Sequence, residues 1–347
     1  MSFGALSDRV RTLAVATRGE KRWDQFRERL VGELYYERLR RNDGLYVAEE
    51  DWDNLLILDA ARFDFFFEAL SEQARDPDAA GDLDVRAAIS RIEKRISRGS
   101  ATPQFLRENF ADSYHPEIVY VTANPMVNTT VPNSFSEVIS VWRSAWDESE
   151  GTVLPSDVRR AAIDAAEKHP HKRLIVHFMQ PHWPFIGYDR ERDLVDFTTA
   201  IADPALSHPR DESDASIWDL LRAGAVDPEK AWVAYRENHR EPLADALKLI
   251  EDLDGRSVIT SDHGNALGER AWPFDMKVYG HPPKIRLPSL VEVPWLTFEA
   301  ETRRKIDSLE TQAPSPTQAN SNRFRDRPNA EQPSEVAESR LEALGYK

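Results

Sequence analysis

One residue after the run Val258-Ile259-Thr260 the chain sets an acid and an imidazole side by side, Asp262 and His263, followed by Gly264. A second acid, Asp59, stands near the end of the run NLLILDA, Asn54 to Ala60. The segment HFMQPHWPF carries His177 and His182, the second flanked by Pro181 and Pro184, which stiffen its loop. In SRGSATPQFLRENF two hydroxyls, Ser100 and Thr102, precede Pro103, and KVYGHPPKIRLP gathers Lys277, His281 and Arg286. Carboxylates and imidazoles can bind ligands or move protons, hydroxyls can act as nucleophiles, and cations can hold an anion. Each also has an ordinary structural reading. A strand-end acid caps a helix or bonds a loop, and His177 inside an apolar run reads as a buried, satisfied histidine. Thr102 reads as a helix N-cap with Pro at the first helical position, and Ser100 as loop.

These residues can act together only if the chain gathers the strand ends. Four continuous apolar runs, NLLILDA, EIVYVTAN, RLIVHFM and RSVITSD, read as buried strands of a parallel sheet. Helical stretches lie between them: DLDVRAAISRIEKRIS, PSDVRRAAIDAAEKH and EKAWVAYRENHREPLADALKLIEDL. This alternation predicts an α/β domain with right-handed crossovers over residues 49–300, and ligands in such sheets bind at the carboxyl ends of the strands. Asp59 and Asp262 both occupy that end. Residues 1–48 read as an amphipathic helical extension, with Phe26, Leu30, Leu34 and Leu39 near helical spacing. It is expected to pack on the main domain, with peripheral membrane or partner contact as the other use of such a helix. Residues 301–347 read as a flexible tail rich in Pro, Ser, Asn and Gln that ends in a short helix.

Composition narrows the classes. The 347 residues are 41% hydrophobic, enough for one large core or two ordinary domains. The net charge of −15 disfavours nucleic acid as a partner. Lys supplies 10 of the 45 basic residues, and an acid-rich, Lys-poor surface suits high salt, where screening removes self-repulsion. No Cys is present, which excludes disulfides, thiolate metal sites and a cysteine nucleophile. No apolar run approaches the roughly 18 residues of a membrane span, and the N-terminus lacks a signal-type apolar core. A cytoplasmic location is the resulting expectation.

The order of the motifs is more specific than any one of them. An Asp closing the first strand comes first, then a Ser/Thr at a helix start some forty residues on, then a His-Pro loop. An Asp-His-Gly and a basic, His-bearing stretch before a last strand complete the series. This resembles the alkaline phosphatase-like superfamily, its sulfatase and phosphoglycerol-transferase branch most closely, over roughly residues 50–300. The closing ESRLEALGYK is similar to the end of sulfatase-like chains. The resemblance implies a three-layer α/β sandwich with a mostly parallel central sheet. It implies a divalent cation (Mn²⁺, Zn²⁺ or Mg²⁺) on Asp59, Asp262 and His263, and a nucleophile at Thr102, with Ser100 as the other candidate. His182, Lys277, His281 and Arg286 are then expected to bind the anion, His182 also serving in catalysis. The substrate expected is a small-molecule, lipid or sugar phosphoester. SATPQ departs from the formylglycine pattern of true sulfatases, so a sulfate ester is the alternative. A member that binds an anion or partner without turnover is a further one.

Overall fold

The computed structural model describes residues 31–32, 42–75, 83–188, 193–194, 217–224, 226–272, 276–307 and 335–344. In chain order the strands are β1 (Asn54–Leu58), β2 (Glu93–Ile96), β3 (His115–Thr122), β4 (Phe135–Ser140), β5 (Trp146–Asp147), β6 (Thr152–Val153), β7 (Arg173–Phe178), β8 (Ser257–Thr260), β9 (Ala266–Ala271), β10 (Met276–Gly280) and β11 (Glu292–Phe298). Seven form one sheet in the order β2-β11-β8-β1-β7-β3-β4. The run from β8 to β4 is parallel, and β11 is antiparallel to both its neighbours. β9 pairs with β10, and β5 with β6.

The apolar runs lack alternation because both faces of the central strands are covered. Every residue of β1 and of β8 is buried. On one face the helices Phe63–Gln73, Pro155–Lys168 and Arg240–Asp252 pack Phe66, Leu70, Val158, Ala162, Leu243 and Leu247 against Leu56, Leu58, Val119 and Val176. On the other, the helix Thr102–Phe110 lays Phe105, Leu106 and Phe110 over Leu55, Ile57, Tyr120, Ile175 and Val258. Helix, sheet and helix make the three layers.

Strand parity then selects the face of the site. Leu55 and Ile57 pair with Ile175 and His177 on β7, and Ile57 pairs with Thr260 on β8. Side chains alternate along a strand, so counting on by two carries Asp59 and Asp262 to the face of Ile57, His177 and Thr260. That is the face covered by the helix beginning at Thr102.

Two expected elements differ. DLDVRAAISRIEKRIS was expected to be helical throughout; it is a short helix, Val85–Ile89, followed by β2. Among the described residues β2 pairs with β11 alone, and its exposed Glu93 and Lys94 give it the charged character of a protected sheet edge. The stretch from Glu229 to Leu253 breaks into the helices Pro228–Glu237 and Arg240–Asp252. The helical reading of residues 1–48, including Phe26, Leu30, Leu34 and Leu39, falls almost wholly outside the described residues. Within them, Leu45 bridges to Ser97 and Val47–Glu49 form a 3-10 turn. Of the tail, the helix Glu335–Ala343 is described.

Candidate metal and nucleophile centre

Asp59 and Asp262 leave the neighbouring strands β1 and β8, and both are fully buried. The turn after Asp59 is tight: Ala60 adopts a φ of 60°, and its N–H donates to Asp262 Oδ1 at 3.0 Å. The backbone N–H of His263 donates to the same oxygen at 2.9 Å. Two amides thus hold Oδ1, while Oδ2 is buried and lies 3.4 Å from His263 Nε2, with the Thr102 hydroxyl also acting on this carboxylate. Burial pushes the Asp262 carboxyl above its ordinary value, against the opposing pull of His177.

The Gly264 carbonyl accepts from His263 Nδ1 at 2.7 Å. A carbonyl only accepts, so Nδ1 carries the proton and Nε2 presents its lone pair. Burial lowers this imidazole to about 3, partly offset by the Gly264 bond. One ligand atom each from Asp59, Asp262 and His263 lies within 4.8 Å of the others, in a fully buried group that could hold a metal ion. Gly264 is required by space. A Cβ there would stand 2.1 Å from the Ser289 carbonyl oxygen, and the Gly264 N–H donates to Leu290 O at 2.8 Å.

Thr102 Oγ1 sits inside this group, 3.1 Å from His263 Nε2 and 3.4 Å from Asp59 Oδ2. The helix begins one residue earlier than expected. Ala101 is the N-cap, its carbonyl accepting from Gln104 and Phe105, so Thr102 is the first helical residue. Its hydroxyl is turned to the acids instead of capping. Ser100 is directed elsewhere: its Oγ donates to Pro282 O at 2.9 Å and lies 3.2 Å from Gln104 Oε1.

His182 reaches the site from the loop after β7. Its N–H donates to Asp59 O, and its Nδ1 donates to Trp183 O at 2.5 Å. Its Nε2 lies 2.9 Å from His281 Nε2, so the shared proton belongs to His281. Burial, with His281 adjacent, holds His182 well below the ordinary imidazole range. His281 is half-buried, and its ring lies 4.7 Å from that of His263.

The other two basic residues are not brought to this cluster. Lys277 is exposed on β10, opposite Arg270. Arg286 is buried and donates to Ser97 O at 3.2 Å and to Asp43, bracing the loop that leads to Ser100. Arg62 joins Asp64 to Glu269 and Asn265 O, an ion-pair brace between the first helix and β9. Asn238 accepts from the Ile186 N–H and so steadies the loop beyond His182.

Three participants had no reading, or a different one, in the sequence. Asn124 donates from Nδ2 to Asp59 Oδ2 at 2.6 Å. His177 is buried as expected, but its Nε2 faces Asp59 Oδ2 at 3.3 Å and Asp262 Oδ2 at 3.9 Å. Burial lowers His177 to about 4, against the pull of Asp262. Tyr120, which meets the His177 Nδ1 at 2.9 Å, was read only as part of an apolar run.

No protein-family model matches the chain, and no curated protein matches it. Solved structures do. The C-terminal periplasmic domain of EcEptC from Escherichia coli, in complex with Zn, aligns at 12% identity over 75% of this chain and 76% of its own, with a TM-score of 0.44. A putative sulfatase from Bacteroides thetaiotaomicron aligns at 10% identity over 74% and 66%, with a TM-score of 0.40. A protein in the alkaline phosphatase superfamily from Vibrio parahaemolyticus aligns at 11% identity over 75% and 62%, with a TM-score of 0.32. Likeness at this level assigns no role to any residue. The periplasmic origin of the first contradicts the cytoplasmic location expected from composition, and that expectation is withdrawn. Among the described residues no helix is long and apolar enough to cross a membrane. The seven-stranded, mostly parallel sheet between helical layers, with acids leaving the neighbouring strands β1 and β8 on the face of the Thr102 helix, is the three-layer α/β architecture that the order of motifs implied.

Proposed function

We propose that this chain is a metal-dependent phosphoester hydrolase or transferase that uses Thr102 as nucleophile. The observation that carries the reading is the Thr102 hydroxyl lying within 3.4 Å of both Asp59 and His263 at a helix start. The donor set fits a cation. Two buried carboxylates meet a bare imidazole nitrogen, and the hydrogen bonds of Asp262 come from neutral groups, two backbone N–H and the Thr102 hydroxyl. Asp59, Asp262 and His263 are the proposed ligands. What a divalent cation supplies in such a place is neutralisation of phosphoryl charge and a lower cost of ionising a hydroxyl.

The protein's own groups account for the rest. The N-terminal end of the Thr102 helix favours the alkoxide and an anion beside it. Thr102, its proton passed to solvent, bonds to phosphorus as the bond to the leaving alcohol breaks. The electron pair departs on that oxygen, which takes its proton from solvent, while His281, held by His182, would lie beside the transferred group as a neutral hydrogen-bonding partner. Water or a second alcohol then attacks the phosphothreonine, loses its proton to solvent, and returns the electron pair to Oγ1, which is reprotonated. A sulfate ester is disfavoured because the formylglycine route needs a Cys or Ser where this chain has Thr102. Nothing in the structure names the alcohol.

Turnover of nitrophenyl phosphate, bis-nitrophenyl phosphate and nitrophenyl sulfate with added Mn²⁺ or Zn²⁺ tests the reading. Phosphoester turnover that falls about 10³-fold or more in Thr102→Ala is expected. Preference for the sulfate ester, or full activity in that variant, would refute it. Metal binding without turnover of any ester would indicate a member that binds only.

A further inference from the structure

The two oxygens of Asp59 have different surroundings. Oδ2 accepts from Asn124 Nδ2 at 2.6 Å and from the Thr102 hydroxyl at 3.4 Å and faces His177 Nε2 at 3.3 Å, while Oδ1 is the oxygen that looks toward His263 Nε2, at 3.9 Å. Asn124 is itself locked. Its Oδ1 accepts from the Met126 N–H at 2.9 Å, which settles the amide orientation and leaves Nδ2 for Asp59. Its N–H donates to Thr122 Oγ1 at 2.9 Å, tying the residue to the end of β3.

His177 has one arrangement that satisfies its surroundings. Its Nε2 faces carboxylate oxygens of both acids, which accept only, so that nitrogen carries the proton. Nδ1 is then bare and accepts the Tyr120 hydroxyl proton at 2.9 Å. The group that could hold an ion is made of Asp59, Asp262 and His263 and does not include His177, whose Nε2 faces both acids without making a hydrogen bond of normal geometry.

We infer that Asn124, bonded to Asp59 Oδ2, and His177, backed by Tyr120 and turned toward the same oxygen, are positioning residues that orient the Asp59 carboxylate for the cation. The inference rests on the metal site proposed above. Partners of this kind orient ligands and commonly change metal affinity about 10–100-fold when removed. A purely structural role, satisfying buried polar atoms, would lower the stability of the metal-free fold and leave affinity alone.

The experiment measures Zn²⁺ affinity by competition with a chromophoric chelator, and the metal-free melting temperature, for wild type, Asn124→Ala, His177→Phe, His177→Gln, Tyr120→Phe and Asp262→Ala. Asn124→Ala and His177→Phe are expected to raise the Kd about 10–100-fold. His177→Gln keeps an N–H near the Nε2 position and is expected to restore most of the affinity. Tyr120→Phe keeps the ring packing and is expected to give a smaller, several-fold loss, which serves if His177→Phe fails to fold. The visible spectrum of the Co²⁺ form should shift in Asn124→Ala, reporting a changed ligand set. Unchanged Kd in Asn124→Ala and in Tyr120→Phe, with metal lost in Asp262→Ala, would overturn the positioning role and leave the site standing. Metal retained in Asp262→Ala would overturn the site itself.

Discussion

Thr102 and Ser100 show what a single residue's direction decides. They are two positions apart at one helix start, and the sequence offers both as nucleophiles. The hydroxyls differ in what they meet: Asp59 and His263 for Thr102, the Pro282 carbonyl for Ser100. Ser100→Ala is therefore expected to cost about 1 kcal/mol of stability as a lost hydrogen bond and to keep turnover. Loss of turnover with unchanged melting would reverse the assignment. Gly264 makes a second single-residue case. With the Ser289 carbonyl 2.1 Å from any Cβ, backbone must move, so Gly264→Ala should destabilise by about 2–3 kcal/mol in urea unfolding. A change below about 0.5 kcal/mol would mean that the strand-to-helix packing behind His263 is loose. Asn265 is left with both amide atoms buried and unpaired, and nothing in the structure explains it.

At the scale of elements, the helix Thr102–Phe110 couples packing to chemistry. Phe105 is buried in the cluster under the sheet and fixes the helix start over Asp59 and Asp262. Phe105→Ala is expected to cost about 3–5 kcal/mol and to lower turnover of the remaining folded protein together with it. Thr102→Ala should lower turnover while the urea midpoint stays near wild type; equal activity losses without a stability difference would separate the helix from the site. The strands β1, β3, β7 and β8 were legible because continuous apolar runs ending in polar residues suit a sheet covered on both faces. Strand β2 was hidden by the charges of EKR, which a sheet edge tolerates and a helix also favours. Asp59, Asp262 and His263 stood out by type and place. Asn124 and Tyr120 did not, since an amide after an apolar run and a tyrosine within one are common. Only the pairing of β3 with β7 gives them a target. Lys277 and Arg286 looked like anion binders by charge, but the β9–β10 hairpin turns one outward and backbone carbonyls take the other.

Whole-molecule behaviour follows from charge and from buried imidazoles. His177 and His239 are lowered by burial to about 4 and His263 to about 3, from an ordinary 6.5. Between these limits the unfolded chain binds protons that the fold refuses. Stability is thus full above about 6.5 and falls as the pH drops toward about 4. Asp262, raised by burial, acts in the opposite sense, but it is one group against several. The melting temperature of metal-free protein should fall across that window; a flat or rising profile would contradict the buried neutral imidazoles. With a net charge of −15, melting should also rise between about 0.1 and 1 M KCl as self-repulsion is screened. A fall over that range would mean that surface ion pairs such as Arg303 with Asp51 outweigh the repulsion. The central claim concerns where the covalent bond forms. Protein quenched during turnover of bis-nitrophenyl phosphate with Mn²⁺, then mapped by peptide mass spectrometry, should carry a phosphoester adduct on Thr102, and Asp262→Ala should carry none. An adduct on Ser100, or sustained turnover with no adduct on Thr102, would contradict it.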